Sequence, residues 1–85
     1  SKKRDNIIIG ENTIIRGKLL VTNYGGKIEI GNNVYIGPNV IISKGVVIGD
    51  FVVIGANSFV NKNIPSKSKA FGAPAEFSNI VVNKV

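Results

Sequence analysis

The stretch IGNNVYIGPNVIISKGVVIGDFVVIGANSFV, residues 30–60, returns to Ile or Val at every sixth position: Ile30, Ile36, Ile42, Ile48, Ile54 and Val60. Toward the N-terminus the same step joins Ile9, Ile15 and Val21. All nine anchors are Ile or Val, which together fill only 25 of 85 positions, so the period is a true internal repeat. The step from Val21 to Ile30 is nine residues, six plus three, and Asn23-Tyr24-Gly25-Gly26 reads as a short insertion at a turn.

The other places in the repeat agree with a strand followed by a corner. One residue after the anchor stand Gly10, Gly31, Gly37, Gly49 and Gly55; three after it stand Asn12, Asn33, Asn39, Gly45, Asn57 and Asn63. Asn and Gly tolerate the left-handed backbone region that a sharp corner demands. Four after the anchor come Thr13, Leu19, Val34, Val40, Val46, Val52, Ser58 and Ile64, small or branched side chains suited to an interior. Anchors and plus-four residues therefore point inward, and the residue between them points outward. Three such strands make an 18-residue coil, so Ile30 should stack on Ile48, Ile36 on Ile54 and Ile42 on Val60. The sequence predicts an all-β, single-stranded parallel β-helix of about three coils.

Three segments follow from this reading: a basic N-terminal segment at 1–8, the β-helix at 9–65, and a C-terminal loop and capping tail at 66–85. Lys2-Lys3-Arg4-Asp5 reads as a charged guard on an open edge or a solvated tail. At the far end Ile64-Pro65-Ser66 breaks the period. The apolar residues beyond it, Phe71, Phe77, Ile80, Val81 and Val82, are expected to fold back as a cap or to pack on another subunit. Outward positions are more apolar than a solvated face requires. They stack as Ile14, Tyr35, Val53 and as Leu20, Ile41, Phe59, with Val47 followed by Pro65 on the third side. Such faces call for a homo-oligomer or an apolar ligand groove.

Composition narrows the chemistry. The chain carries +6 net charge and no Cys, His, Met or Trp. It offers no disulfide, no thiol nucleophile and no His or Cys metal ligand, so no metal is expected. The basic residues are dispersed with no aromatics interleaved, which argues against nucleic acid. No apolar run is long enough for a membrane span, and no signal peptide is evident, so a soluble, cytoplasmic protein is expected. With no initiator methionine, the chain is expected to be processed, engineered or a portion of something longer.

With the repeats laid out, residues 30–60 resemble the closing coils of hexapeptide-repeat acyltransferases, the left-handed β-helix group that includes sugar O-acetyltransferases and serine acetyltransferases. Asn61-Lys62-Asn63-Ile64-Pro65 and Phe71-Gly72-Ala73-Pro74-Ala75 are similar to that family's exit from the coil and its terminal loop. The resemblance covers about Ile7 to Phe77. It implies a left-handed coil and a homotrimer with acetyl-CoA held between subunits. It also implies transfer of the acyl group to a hydroxyl or amine, and the leading expectation is acetyl transfer to a hydroxyl of a saccharide or polysaccharide precursor. The family's cofactor contacts fall here on Ala56, Asn61 and Lys62, with Gly72, Ala73 and Pro74 near the adenine end. Lys62, Lys67 and Lys69 could meet phosphates or could be a solubilising cluster. Where the family loop is usually basic, Glu76, Ser78 and Asn79 stand instead. The family's catalytic residue is a histidine, and this chain has none, so no catalytic residue is assigned. Asp50, the one carboxylate in the late coils, reads as an exposed corner residue. Two further readings stand beside the enzyme: a non-catalytic β-helical trimerisation or scaffold module, and the β-helical end of a sugar-nucleotide transferase.

Overall fold

In a computed structural model, which describes residues 7–17, 19–22 (main chain only) and 27–79, every regular element is a strand. The first coil holds β1 (Ile7–Ile9), β2 (Ile14–Ile15) and β3 (Leu19–Thr22); the second holds β4 (Ile28–Ile30), β5 (Tyr35–Ile36) and β6 (Val40–Ser43). The third holds β7 (Val47–Ile48), β8 (Val53–Ile54) and β9 (Phe59–Val60), and β10 (Ser68–Gly72) and β11 (Ala75–Asn79) follow. Each strand pairs in parallel with its counterpart one coil away, giving three sheets: β1-β4-β7, β2-β5-β8-β10-β11 and β3-β6-β9. The insertion at 23–26, the basic run at 2–5 and the apolar residues at 80–82 lie outside the described residues.

The expected stacks are the observed ones. Ile30 pairs with Ile48, Ile36 with Ile54 and Ile42 with Val60. These anchors and the plus-four residues Val34, Val40, Val46 and Val52 are buried, while Tyr35, Val47 and Val53 point out to solvent. Parallel strands only two residues long cannot hold together alone; packed side-chain columns and repeated main-chain hydrogen bonds at the corners supply the rest.

The corner between the β1 and β2 sheets shows how that works. Asn12, Asn33, Phe51 and Lys67 occupy it in successive coils, all with φ between 57° and 60°. The residue before each one forms a ladder: Asn32 Oδ1 accepts the N–H of Glu11 at 2.7 Å, Asp50 Oδ1 that of Asn32 at 2.8 Å, and Ser66 Oγ that of Asp50 at 2.8 Å. Asp50 is thus a structural corner residue, in line with its expected role. The ladder satisfies N–H groups that a turning chain would otherwise leave without a partner.

Phe51 is out of keeping with its corner. A bulky side chain in the left-handed region is strained by about 1–2 kcal/mol, which Asn partly escapes. The residue is 53% exposed and recovers little by packing. Phe51→Asn should stabilise the fold by about 0.5–1 kcal/mol, raising the thermal midpoint by roughly 2–8 °C. Circular dichroism melting of both proteins checks this; a lower midpoint in the variant would show that the ring is needed.

The period does not simply end at Pro65. Ile64 bridges to Ile48, so it takes the anchor place with a step of 16 rather than 18. Two residues are dropped and the stack continues: Ala70 pairs with Ile54, and Ser68 and Ala70 are fully buried. One consequence corrects the expected outer stack. Asn63, not Pro65, stands over Val47, accepting its N–H at 2.8 Å. The tail then folds back as β11, antiparallel to β10, which closes the C-terminal edge of that sheet. Phe77 lies opposite Ala70 and extends the Ile36–Ile54 column, although Phe71 and Phe77 remain 60% and 41% exposed.

Candidate functional site

Site geometry follows from the coil. Ala56 sits on the corner between β8 and β9; Asn61 and Lys62 sit on the next corner, immediately after β9. Between them the outer face of the β6–β9 sheet carries Ile41 and Phe59, paired in register and both half-buried. The residues singled out by resemblance therefore border one apolar face from its two corners.

The C-terminal hairpin overhangs the first of these corners. Gly72, Ala73 and Pro74 form its turn, exposed, with a cis Ala73–Pro74 peptide bond. Gly72 donates its N–H to Ser58 Oγ at 3.2 Å, and Ser58 Oγ donates to Gly55 O at 2.8 Å. Gly55 lies close beneath the hairpin, since a Cβ there would stand 3.1 Å from that of Phe71. The structure thus brings Ala56 and the Gly72–Pro74 turn to one corner. Lys62 is held to the hairpin differently, through an ion pair from its Nζ to Glu76 Oε1 at 3.2 Å. Both side chains are solvent-exposed, 39% and 76%, so the pair opens at little cost.

The three lysines considered together do not form one cradle. Lys62 is on the corner after β9, Lys67 on the corner between the β1 and β2 sheets, and Lys69 on the outer face of β10 beside Val53. A chain that turns a corner every six residues disperses near neighbours in sequence. Among the described residues no group of three His, Cys, Asp or Glu side chains could hold a metal ion, and no helix is long and apolar enough to cross a membrane. Sequence reasoning missed Ser58 and Glu76 as partners of the candidate residues. For Ser58 the available signal was a hydroxyl at an inward place where Val34, Val40 and Val52 stand in other coils.

Residues 27–62 match the family described as bacterial transferase hexapeptide (six repeats). Over that span the chain carries the hexapeptide repeat of that family. Its parallel solenoid is the left-handed β-helix of hexapeptide repeats, as the sequence resemblance implied. No curated protein matches it in sequence. Among solved structures, a galactoside acetyltransferase in complex with coenzyme A is 35% identical, with a TM-score of 0.81 over 88% of this chain and 46% of its own. A maltose O-acetyltransferase from Clostridium difficile 630 is 30% identical, with a TM-score of 0.75 over 92% of this chain and 60% of its own. A hexapeptide-repeat acetyltransferase from Vibrio cholerae O1 biovar eltor, complexed with acetyl coenzyme A, is 27% identical, with a TM-score of 0.64 over 85% of this chain and 58% of its own. The hexapeptide-repeat chain spans about half the length of these relatives.

Proposed function

We propose that this hexapeptide-repeat chain supplies the acyl-donor half of an acetyltransferase that moves acetyl from acetyl-CoA to a hydroxyl of a sugar or polysaccharide precursor. The observation that carries the reading is the 35% identity over 88% of the chain to an acetyltransferase that holds coenzyme A. The geometry supports it: the apolar face of Ile41 and Phe59 offers a floor for the pantetheine arm. Ala56, Asn61 and Lys62 border that face, and Gly72, Ala73 and Pro74, at the Ala56 corner, are assigned to the adenine end. In the reaction the thioester C–S bond breaks and an ester C–O bond forms; the acceptor hydroxyl gives its proton to a base, and CoA leaves as the thiolate. The expected base is a histidine, and this chain contains none. The part proposed for its own residues is therefore binding and orientation of the donor.

Assembly as a homotrimer in the cytoplasm belongs to the same reading. The exposed stack of Ile14, Tyr35 and Val53 is apolar surface of the kind a neighbouring copy covers. Isothermal titration of the chain with acetyl-CoA, together with sedimentation of the same sample, tests both parts. Saturable binding by a trimer is expected. A trimer that binds no acetyl-CoA would overturn the donor reading in favour of the scaffold module, which the missing histidine and the acidic Glu76 favour.

Glu76 gives the reading a second handle. If Lys62 meets a donor phosphate, the Glu76 carboxylate competes with that phosphate for it. Glu76→Gln should tighten acetyl-CoA binding by about two- to fivefold, the scale of an exposed ion pair. The gain should shrink at high salt. Titration at low and high ionic strength checks it, and an unchanged affinity at low salt would remove Lys62 from the donor site.

A further inference from the structure

Ser58 breaks the pattern of its own position. In its own column the plus-four place one coil earlier is Val40, buried and apolar as Val34 and Val52 are in theirs, and Ser58 is buried to the same degree at 1% exposure. A hydroxyl in that place must find partners within the protein or lose its hydration for nothing. It finds two, one on each side. It donates to Gly55 O within its own corner at 2.8 Å and accepts from Gly72 N of the hairpin at 3.2 Å.

Most links between successive coils are main-chain bonds, such as Gly55 N to Ala70 O at 2.9 Å, or come from exposed corner side chains. Thr13, four after Ile9, makes a comparable part-buried link, donating to Gly31 O at 2.7 Å and accepting from Val34 N at 3.3 Å, but it joins coil to coil. At Ser58 a buried side chain holds the start of an exposed turn. Gly72 has φ 108°, a conformation that needs glycine and that nothing in its own side chain can secure. The two elements joined are the corner that carries Ala56 and the turn Gly72–Pro74.

We propose that Ser58 is a positioning residue: its hydroxyl latches the Gly72–Pro74 turn to the Gly55–Ser58 corner and so fixes the adenine end of the donor cleft. The inference rests on the acyl-donor reading for its ligand and on the two hydrogen bonds for its geometry. A short donor that stops at the pantetheine arm does not reach the turn and is indifferent to the latch.

The test uses a pair of near-isosteric variants. Ser58→Val places there the side chain that the same column carries one coil earlier, so the fold survives while the hydroxyl is lost. Ser58→Thr has the same shape and keeps the hydroxyl. Amide exchange at Gly72, read by NMR, should quicken about three- to tenfold in S58V and stay near the parent rate in S58T, the scale of one hydrogen bond. Affinity for acetyl-CoA should fall by a similar factor in S58V and recover in S58T, while affinity for S-acetylpantetheine stays unchanged in both. Unaltered Gly72 exchange in S58V overturns the latch. Faster exchange with undiminished acetyl-CoA affinity overturns its role in positioning. If the parent chain binds neither donor while S58V still frees Gly72, the acyl-donor reading fails and takes the positioning role with it, and the latch stands as a bond between corner and hairpin alone.

Discussion

Ile36→Ala should remove about 4 kcal/mol of folding stability, within the upper half of the range for truncating a buried Ile. Ile36 is fully buried and lies in the middle of its column, paired with Ile15 on one side and Ile54 on the other. The size of the loss depends on whether the neighbours can close over the gap. In a helical bundle a helix can shift inward; here the strands on either side are fixed at the ladder spacing. Gly37 N donates to Ile54 O at 2.9 Å and Arg16 N to Ile36 O at 2.8 Å, so closing the void would mean breaking the rungs beside it. The cavity should therefore persist. Against the 5–15 kcal/mol that a domain of ordinary stability commands, such a loss is severe. The thermal midpoint should drop by roughly 15–30 °C. Urea unfolding followed by circular dichroism gives the free energy directly. A loss below about 2 kcal/mol would mean that the coils slide together, contradicting the rigid-rung account.

What the sequence disclosed and what it hid divide along a physical line. The columns of Ile30 with Ile48, Ile36 with Ile54 and Ile42 with Val60 were legible because burial selects side-chain type at a fixed interval. The corners were legible for Asn12, Asn33, Asn39 and Asn57, which all have φ near 60°, because few residues tolerate that conformation. The place of Ile64 was not: Pro65 beside it argued for a stop, and it took the pairings of Ile64 with Ile48 and of Ala70 with Ile54 to show that two residues were dropped while the inward column went on. Hydrogen bonds from small hydroxyls were also hidden. Ser58 and Ser66 look alike in sequence, yet one binds inside the core and the other at an exposed corner. Ala56, Asn61, Lys62 and Gly72–Pro74 carried no pattern of their own and entered through family resemblance. Their arrangement around the face of Ile41 and Phe59 is a property of the coil that no local reading supplies.

Gly31→Ala should cost about 3 kcal/mol, although it adds one methyl group at a position with an ordinary backbone angle. The cost comes from the coil above. A Cβ on Gly31 would stand 2.7 Å from Gly49 O and 2.8 Å from Gly49 C, and against Asp50 Oδ1 as well. Two of these three atoms are main chain, so no rotamer change relieves the clash. The third coil would have to move away, and that movement strains three bonds at once: Gly31 N to Ile48 O at 2.8 Å, Phe51 N to Asn32 O at 2.9 Å, and Asn32 N to Asp50 Oδ1 at 2.8 Å. The glycine after the anchor and the side-chain ladder at that corner are thus one device, since the close approach that excludes a Cβ is what brings Asp50 to the Asn32 N–H. Gly45 supplies the contrast. Its φ is 78° and nothing lies within 4 Å of where its Cβ would be, so its demand is conformational alone. Gly45→Asn, which tolerates that region, should cost less than about 1 kcal/mol. Denaturation of G31A and G45N side by side separates the two causes. Equal losses would mean that corner conformation governs both sites, and the close-packing account of the Gly31 column would fall.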